Sequence, residues 1–322
     1  MNELFIALLW FLGGLALIVY AGDGFVNSAV KIAEIFRIPA LYIGTFLIGF
    51  STSVPELIVA YIAALSGSTD LAVGNVLGSY ICNIGFVIGI TAMVKPLKIS
   101  TETLSRAIPL LALSLFVTAF LLIIDNQFNY LDGLILLGLF CAYLVMCFLH
   151  INRNRSRFTR KASKKTGANS SALWPCCMFV VFLVLLLFGS EMMVEAARDL
   201  ARHFNVSELV IGITVVAVGT SLPELTACII SVLRGEDDIA VGNIVGSNIF
   251  CLLCVLSIPL LMAPTNGISP EKLWIPLTMM LIVTTVLWIF SAKFDKTCQI
   301  SRWEGLFLVS ISTVYLVVTM LT

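Results

Sequence analysis

The chain has 322 residues, 59% of them hydrophobic and only 12% charged, and its formal net charge is zero. Soluble domains run closer to half apolar and a quarter charged. The composition therefore excludes an ordinary soluble enzyme or binding domain, and the neutral balance argues against a nucleic-acid partner.

A membrane-spanning helix needs about 20 mostly apolar residues. Ten such runs occur, near residues 4–22, 40–65, 70–94, 106–124, 131–150, 174–197, 207–232, 238–262, 271–291 and 302–321. The first carries Glu3 where a secretory signal would carry Lys or Arg, and its apolar stretch is too long for a signal core. It reads as a mature spanning helix. Asp23 follows it and reads as a solvated or capping acid, as does its counterpart Glu191.

The second and third runs hold STSVPELIVAYIAALSGSTDLAVGNVLGS, from Ser51 to Ser79. The seventh and eighth hold GTSLPELTACIISVLRGEDDIAVGNIVGS, from Gly219 to Ser247, a constant 168 residues later. Between Leu41 and Ile90 about 21 of some 50 positions match their partners, far above what apolar composition alone gives. The chain is thus a duplication, with a first repeat over 1–150, a linker over 151–173 and a second repeat over 174–322.

The linker's polar part, INRNRSRFTRKASKKTGANS (residues 151–170), carries seven Lys/Arg and no acid. It reads as a cytoplasmic topology determinant. With five helices before it, both termini fall outside, and about 16 of the 19 Lys/Arg then lie inside. An odd number of helices per copy inserts the second copy upside down. The expected fold is an all-α membrane protein of ten transmembrane helices in two inverted five-helix repeats. Inverted repeats allow two alternative openings around one midplane site.

Each copy places one glutamate directly after a proline. Pro55 and Pro223 lack an N–H, so the carbonyls of Ser51 and Gly219 lose their helical partners. Thr52, Ser53, Thr220 and Ser221 add hydroxyls beside Glu56 and Glu224. Carboxylates, hydroxyls and carbonyls form an all-oxygen set suited to hard cations such as Ca2+. An ionised acid at the bilayer centre costs at least about 2.5–3.5 kcal/mol. One divalent cation, two monovalent cations or two protons would each cancel the pair's charge.

The following segment of each copy reads AVGNxxGS, with Gly74 and Gly78, then Gly242 and Gly246, at helix-packing spacing. Close packing there would bring Ser79, Ser247 and Asn83 toward the glutamates. Asp70, Asp237 and Asp238 read as helix starts, and His150 and His203 as interfacial residues. Cys251 and Cys254 form a CxxC only formally, because they lie on an apolar helix, where ordinary packing is expected. The cysteine spacing gives no disulfide framework, and no nucleophile–base pair or metalloprotease motif suggests an enzyme.

These motifs resemble the α-repeats of the calcium/cation antiporter superfamily, prokaryotic sodium/calcium exchanger type. The resemblance covers nearly the whole chain. It implies Ca2+/Na+ exchange by alternating access across a prokaryotic inner membrane, with a Ca2+/H+ antiporter or, further off, a cation channel as alternatives. It implies Ca2+ and Na+ (or H+) as transported ions rather than resident cofactors, a monomer sufficient for function, and sliding of residues 4–37 and 174–205 across the cavity. Position by position, Glu56 and Glu224 are similar to the family's Ca2+ ligands. Thr52, Ser53, Thr220 and Ser221 match its hydroxyl and carbonyl donors, and Ser79 and Ser247 its sodium donors. Asn83 matches an amide ligand, and Gly49 and Ala217 match carbonyl donors. The chain departs from the family at Ser51, at Tyr80 and, above all, at Cys251, which is the partner position of Asn83. A thiol is a poor ligand for a hard cation.

Overall fold

The computed structural model describes residues 2–67, 69–124, 129–153, 172–203, 217–262, 270–292 and 298–321. The helices are α1 (Asn2–Phe36), α2 (Ala40–Thr52), α3 (Val54–Leu65), α4 (Leu71–Val94), α5 (Thr103–Ile123), α6 (Tyr130–Arg153), α7 (Leu173–His203), α8 (Ala217–Thr220), α9 (Leu222–Leu233), α10 (Asp237–Met262), α11 (Pro270–Ser291) and α12 (Arg302–Leu321). Among the described residues, eight helices are long and apolar enough to span a membrane, and the bent pair α2–α3 makes a ninth. The remaining expected run, 207–232, is described from residue 217 on, as α8 and α9. Most of the basic linker lies outside the described residues.

Burial repeats between the halves. α4 and α10 are each 78% buried over their apolar windows, and α5 and α11 each 39%. α1 and α7 reach 22%, while α6 and α12 reach 17%. The helices bearing the AVGNxxGS motif are therefore the centre of the bundle, and the outer helices leave their apolar surfaces for lipid.

Packing repeats as well. α2 lies along α10, and its counterpart α8 lies along α4. α3 packs on α10, and α9 on α4. The last helix of each half crosses to the other half: α6 packs on the end of α10, and α12 on the end of α4. α1 and α7 pack chiefly on each other, around Ala21, Phe25, Phe179 and Leu186, and the same apolar cluster takes in Ile43 and Ile48 of α2, Ala227 of α9 and Ile239 of α10. The larger core gathers around α4, α5, α10 and α11.

The turns between α3 and α4, and between α9 and α10, use Gly67 (φ 69°) and Gly235 (φ 80°). These are matched positions, and each needs a left-handed backbone that a side chain would strain. At the α2–α10 seam, a Cβ on Gly246 would meet the carbonyl oxygen of Thr45, and one on Gly242 that of Leu41. The expected small-residue packing is present there. Beside Gly74 and Gly78 there is open space among the described residues. Residues 209–213, which match Leu41–Thr45, lie outside them.

Several local expectations need correcting. α1 continues to Phe36, so Asp23 is neither a cap nor near a helix end. It is exposed and ion-paired, its Oδ1 lying 2.6 Å from Nη2 of Arg234. Glu191 is likewise inside α7 rather than at its end, and exposed. Asp237 and Asp238 do begin α10. His150 sits near the end of α6, against Arg106 and 3.5 Å from Glu102, and Glu102 accepts a bond from the Tyr42 hydroxyl. His203 ends the described part of α7. Two short strands were not anticipated: β1 (Leu97–Lys98) pairs antiparallel with β2 (Gln299–Ile300) and joins the halves.

Candidate cation-binding site

The proline of each copy starts a new helix rather than kinking a continuous one. α2 and α3 meet at 44°. The linking residue, Ser53, has φ −85° and ψ 13°, and its counterpart Ser221 has φ −91° and ψ 4°. Both lie in the bridge region, where a helix is interrupted without left-handed strain. Pro55 and Pro223 occupy the first turns of α3 and α9, where a missing N–H is harmless. Glu56 and Glu224 consequently sit in first turns too, where the helix dipole favours a negative group.

Both glutamates are fully buried. The Ser53 hydroxyl of one half donates to Glu224 Oε1 of the other at 3.3 Å, so the two breaks meet. Buried acceptors without a donor are unusual and need an explanation. Here both oxygens of Glu56, Oε2 of Glu224, Oγ of Ser221 and Oδ1 of Asn83 are all buried without a hydrogen-bond partner. Carboxylate, hydroxyl and amide oxygens are the donor types that hard cations take.

The neighbouring hydroxyls point their protons at protein acceptors. Thr52 Oγ1 is 3.3 Å from both Gly49 O and Asn243 Oδ1, and Ser247 Oγ donates to Gly49 O at 3.0 Å. The Gly49 carbonyl, expected as a free donor, is therefore engaged by Ser247. The Gly219 carbonyl is also engaged, by Ser190 of α7 at 3.1 Å. The proline releases it from its helix as expected, but a neighbouring hydroxyl takes it up. Ser79 is buried on α4. Thr220 closes α8 and is half-buried, and the backbone of Ala217 opens the same short helix against α4.

Two asparagines escaped the sequence reading. Asn243 is fully buried and makes three contacts: it accepts from Thr52, and its amide donates to Glu224 O and to Cys228 Sγ at 3.3 and 3.2 Å. Asn248 accepts from Asn83 Nδ2 at 3.1 Å, which leaves Asn83 Oδ1 as the free end of that amide. The signal for Asn243 was present, since Asn75 and Asn243 recur in both AVGNxxGS stretches. Asn248 was hidden because its partner position is Tyr80, whose hydroxyl is 2.7 Å from Thr284 Oγ1.

The helices that carry these residues loosen at matching places. Asn83–Ile88 and Cys251–Val255 are π-helical turns beginning at paired positions, the type of irregularity that gathers at functional sites. Asn83 opens the first and Cys251 the second. Cys251 is fully buried, and the turn it opens packs on α3, the helix that carries Glu56. An amide thus opens one of the paired turns and a cysteine the other.

The model of the family described as "Sodium/calcium exchanger protein" matches residues 6–149 and 174–321. CaxA of Alkalimonas amylolytica is 36% identical over 304 residues, covering 93% of this chain and 94% of its own length. The sodium/calcium exchanger MaX1 of Methanosarcina acetivorans is 28% identical, covering 95% and 96%. A solved structure of the sodium-calcium exchanger NCX_Mj, soaked with zero Na+ and Ca2+, is 30% identical, covers 98% of each chain and superposes with a TM-score of 0.78.

Proposed function

The chain belongs to the sodium/calcium exchanger protein family, as a prokaryotic member of the calcium/cation antiporters, and from that premise we propose that it exchanges Ca2+ for Na+ across the membrane by alternating access. It is a multi-pass membrane protein of a transporter family. The observation that carries the reading is the set of four buried oxygens without hydrogen-bond partners at the two Pro-Glu breaks, both of Glu56, one of Glu224 and the Ser221 hydroxyl. Ca2+ binds between Glu56 and Glu224. Ser53, Ser221, Thr52 and Thr220 flank it, Asn83 adds an amide oxygen, Ala217 contributes a carbonyl, and the Gly49 carbonyl, engaged by Ser247, positions that hydroxyl. Ser79 and Ser247 serve Na+. Cargo must neutralise the two acids before the site crosses the dry midplane.

Ten spans in two inverted five-helix repeats provide the framework, with the basic linker in the cytoplasm and both termini outside. The repeated burial and packing of the halves support this arrangement. The α1–α7 pair, whose long mutual contact lies outside the main core, is the moving part, and the remaining helices are the stationary one. One chain suffices, in a prokaryotic inner membrane.

Paired carboxylates with free oxygens can also take protons, so a Ca2+/H+ antiporter is the second reading. Uptake of 45Ca2+ into proteoliposomes under an imposed Na+ gradient, compared with an imposed pH gradient, separates the two. Uptake that follows Na+ is expected. Uptake that ignores Na+ and follows pH moves the assignment to H+, and no uptake under either gradient overturns both readings. Ion currents far above carrier turnover would indicate a channel instead.

A further inference from the structure

We propose that the bundle is latched on one face only: Asp23 of α1 and Arg234 after α9 hold it shut at the face where the basic linker begins, and the opposite face has no matching ion pair. This rests on the exchanger reading, with the α1–α7 pair as the moving part, and adds to it which of the two openings is preferred and which residues set the preference.

The duplication supplies a control for each residue of the latch. α1 packs on α9, whereas among the described residues α7 makes no comparable contact with α3. Gly22 allows the approach, since a Cβ there would meet Thr226 and Ile230 of α9. Beside it, Asp23 Oδ1 lies 2.6 Å from Nη2 and 3.1 Å from Nε of Arg234. Each of these residues has a counterpart at the constant offset. Gly22 matches Ser190, whose hydroxyl turns to the Gly219 carbonyl at 3.1 Å. Thr226 and Ile230 are half-buried, while their counterparts Ile58 and Ile62 are 51% and 58% exposed. Asp23 matches Glu191, also an exposed acid. Arg234 matches Ser66, which brings no charge and donates back to Ile62 O of its own helix at 2.8 Å.

The latched face is that of the linker. Lys95 Nζ donates to Val232 O at 2.6 Å, and Lys98 N–H to Asp237 Oδ1 at 3.3 Å, on either side of Arg234. The same loop leads into Glu102 and Arg106, which meet His150 at the end of α6, just before the linker. Inverted repeats exchange roles when the transporter turns over. The uncovered face of α3 is then the seat for α7 once α1 leaves α9, and Glu191 arrives opposite a serine. Turnover breaks the Asp23–Arg234 pair and puts no other in its place. A partly exposed pair shifts a two-state population by up to about fivefold. The apparent affinity at each face follows the fraction of molecules open to it. The pair therefore lowers the half-saturating Ca2+ concentration at the face opposite the linker, relative to the linker face.

The test uses the full chain in proteoliposomes of either orientation, with 45Ca2+ as probe and whichever monovalent gradient drives uptake. It reads the half-saturating Ca2+ concentration at the linker face divided by that at the opposite face. Asp23→Asn and Arg234→Gln should each lower this ratio by about two- to fivefold. Glu191→Gln, at the position matched to Asp23, should leave it unchanged. A ratio that stays put in D23N and R234Q, with uptake intact, overturns the latch and leaves the exchanger reading standing. An equal shift in E191Q overturns its restriction to one face. Absence of gradient-driven uptake by the unmodified protein overturns the exchanger reading itself.

Ser66→Arg supplies the missing arm on the other face. With Glu191 as its partner in the alternative conformation, the ratio should fall by a similar factor, and adding E191Q to S66R should return it to the parent value. An unmoved ratio in S66R, with uptake intact, overturns the seating of α7 on α3. A charge swap separates the ion pair from lost packing: D23R/R234D should recover the ratio that R234D alone lowers. A swap that stays at the R234D value overturns the ion pair as the cause.

Discussion

Both oxygens of Glu56 have no donor, whereas Glu224 is held on one side by Ser53 from the other half. Neutralising either acid leaves a divalent cation with one uncompensated charge at the midplane. That costs about 2.5–3.5 kcal/mol, on the order of 100-fold in affinity. Glu56→Gln and Glu224→Gln should therefore abolish coupled 45Ca2+ flux at low Ca2+ while leaving expression and thermal unfolding of the purified protein close to those of the parent. Wild-type flux in either variant would remove that carboxylate from the mechanism. Asn243→Ala is a different case, because it removes three contacts and leaves buried groups unsatisfied at about 1–3 kcal/mol. Thr52 then loses its fixed orientation, and the half-saturating Ca2+ concentration should rise about tenfold with a smaller change in maximal flux. The two glutamates were legible from sequence because a proline and a duplicated context flagged them. The work of Asn243 was not legible, since its Thr52 partner lies 191 residues away in the other repeat.

Helix by helix, the duplication announced which segments correspond, and the prolines announced where two of them break. How far helices extend was less legible. An apolar run marks only the part that meets lipid, and α1 with 35 residues is about 52 Å long against a hydrocarbon core of about 30 Å. The surplus explains why Asp23, expected at a helix end, reaches Arg234 after α9 instead. Both partners are partly exposed, so the pair contributes at most about 1 kcal/mol. Asp23→Asn should change the ratio of Ca2+ half-saturation on the two membrane sides by no more than about fivefold, measurable in vesicles of opposite orientation. The α2–α10 seam is much less forgiving. A side chain at position 246 meets backbone of α2 rather than a flexible side-chain end. Gly246→Leu should cost about 1–3 kcal/mol or more, and it should appear as a lowered unfolding temperature and loss of flux together.

The whole molecule is two similar halves that each complete the other, because α6 of the first packs on α10 and α12 of the second packs on α4. That crossing has a consequence for how the protein is made. When α6 leaves the ribosome, the helix it will rest against has not yet been translated, so the first half must wait in the bilayer with one flank unattended. Two polypeptides cut within the basic linker should therefore rescue each other when synthesised together. Either one alone should be cleared by the proteases that survey the membrane, as immunoblots of the two fragments would record.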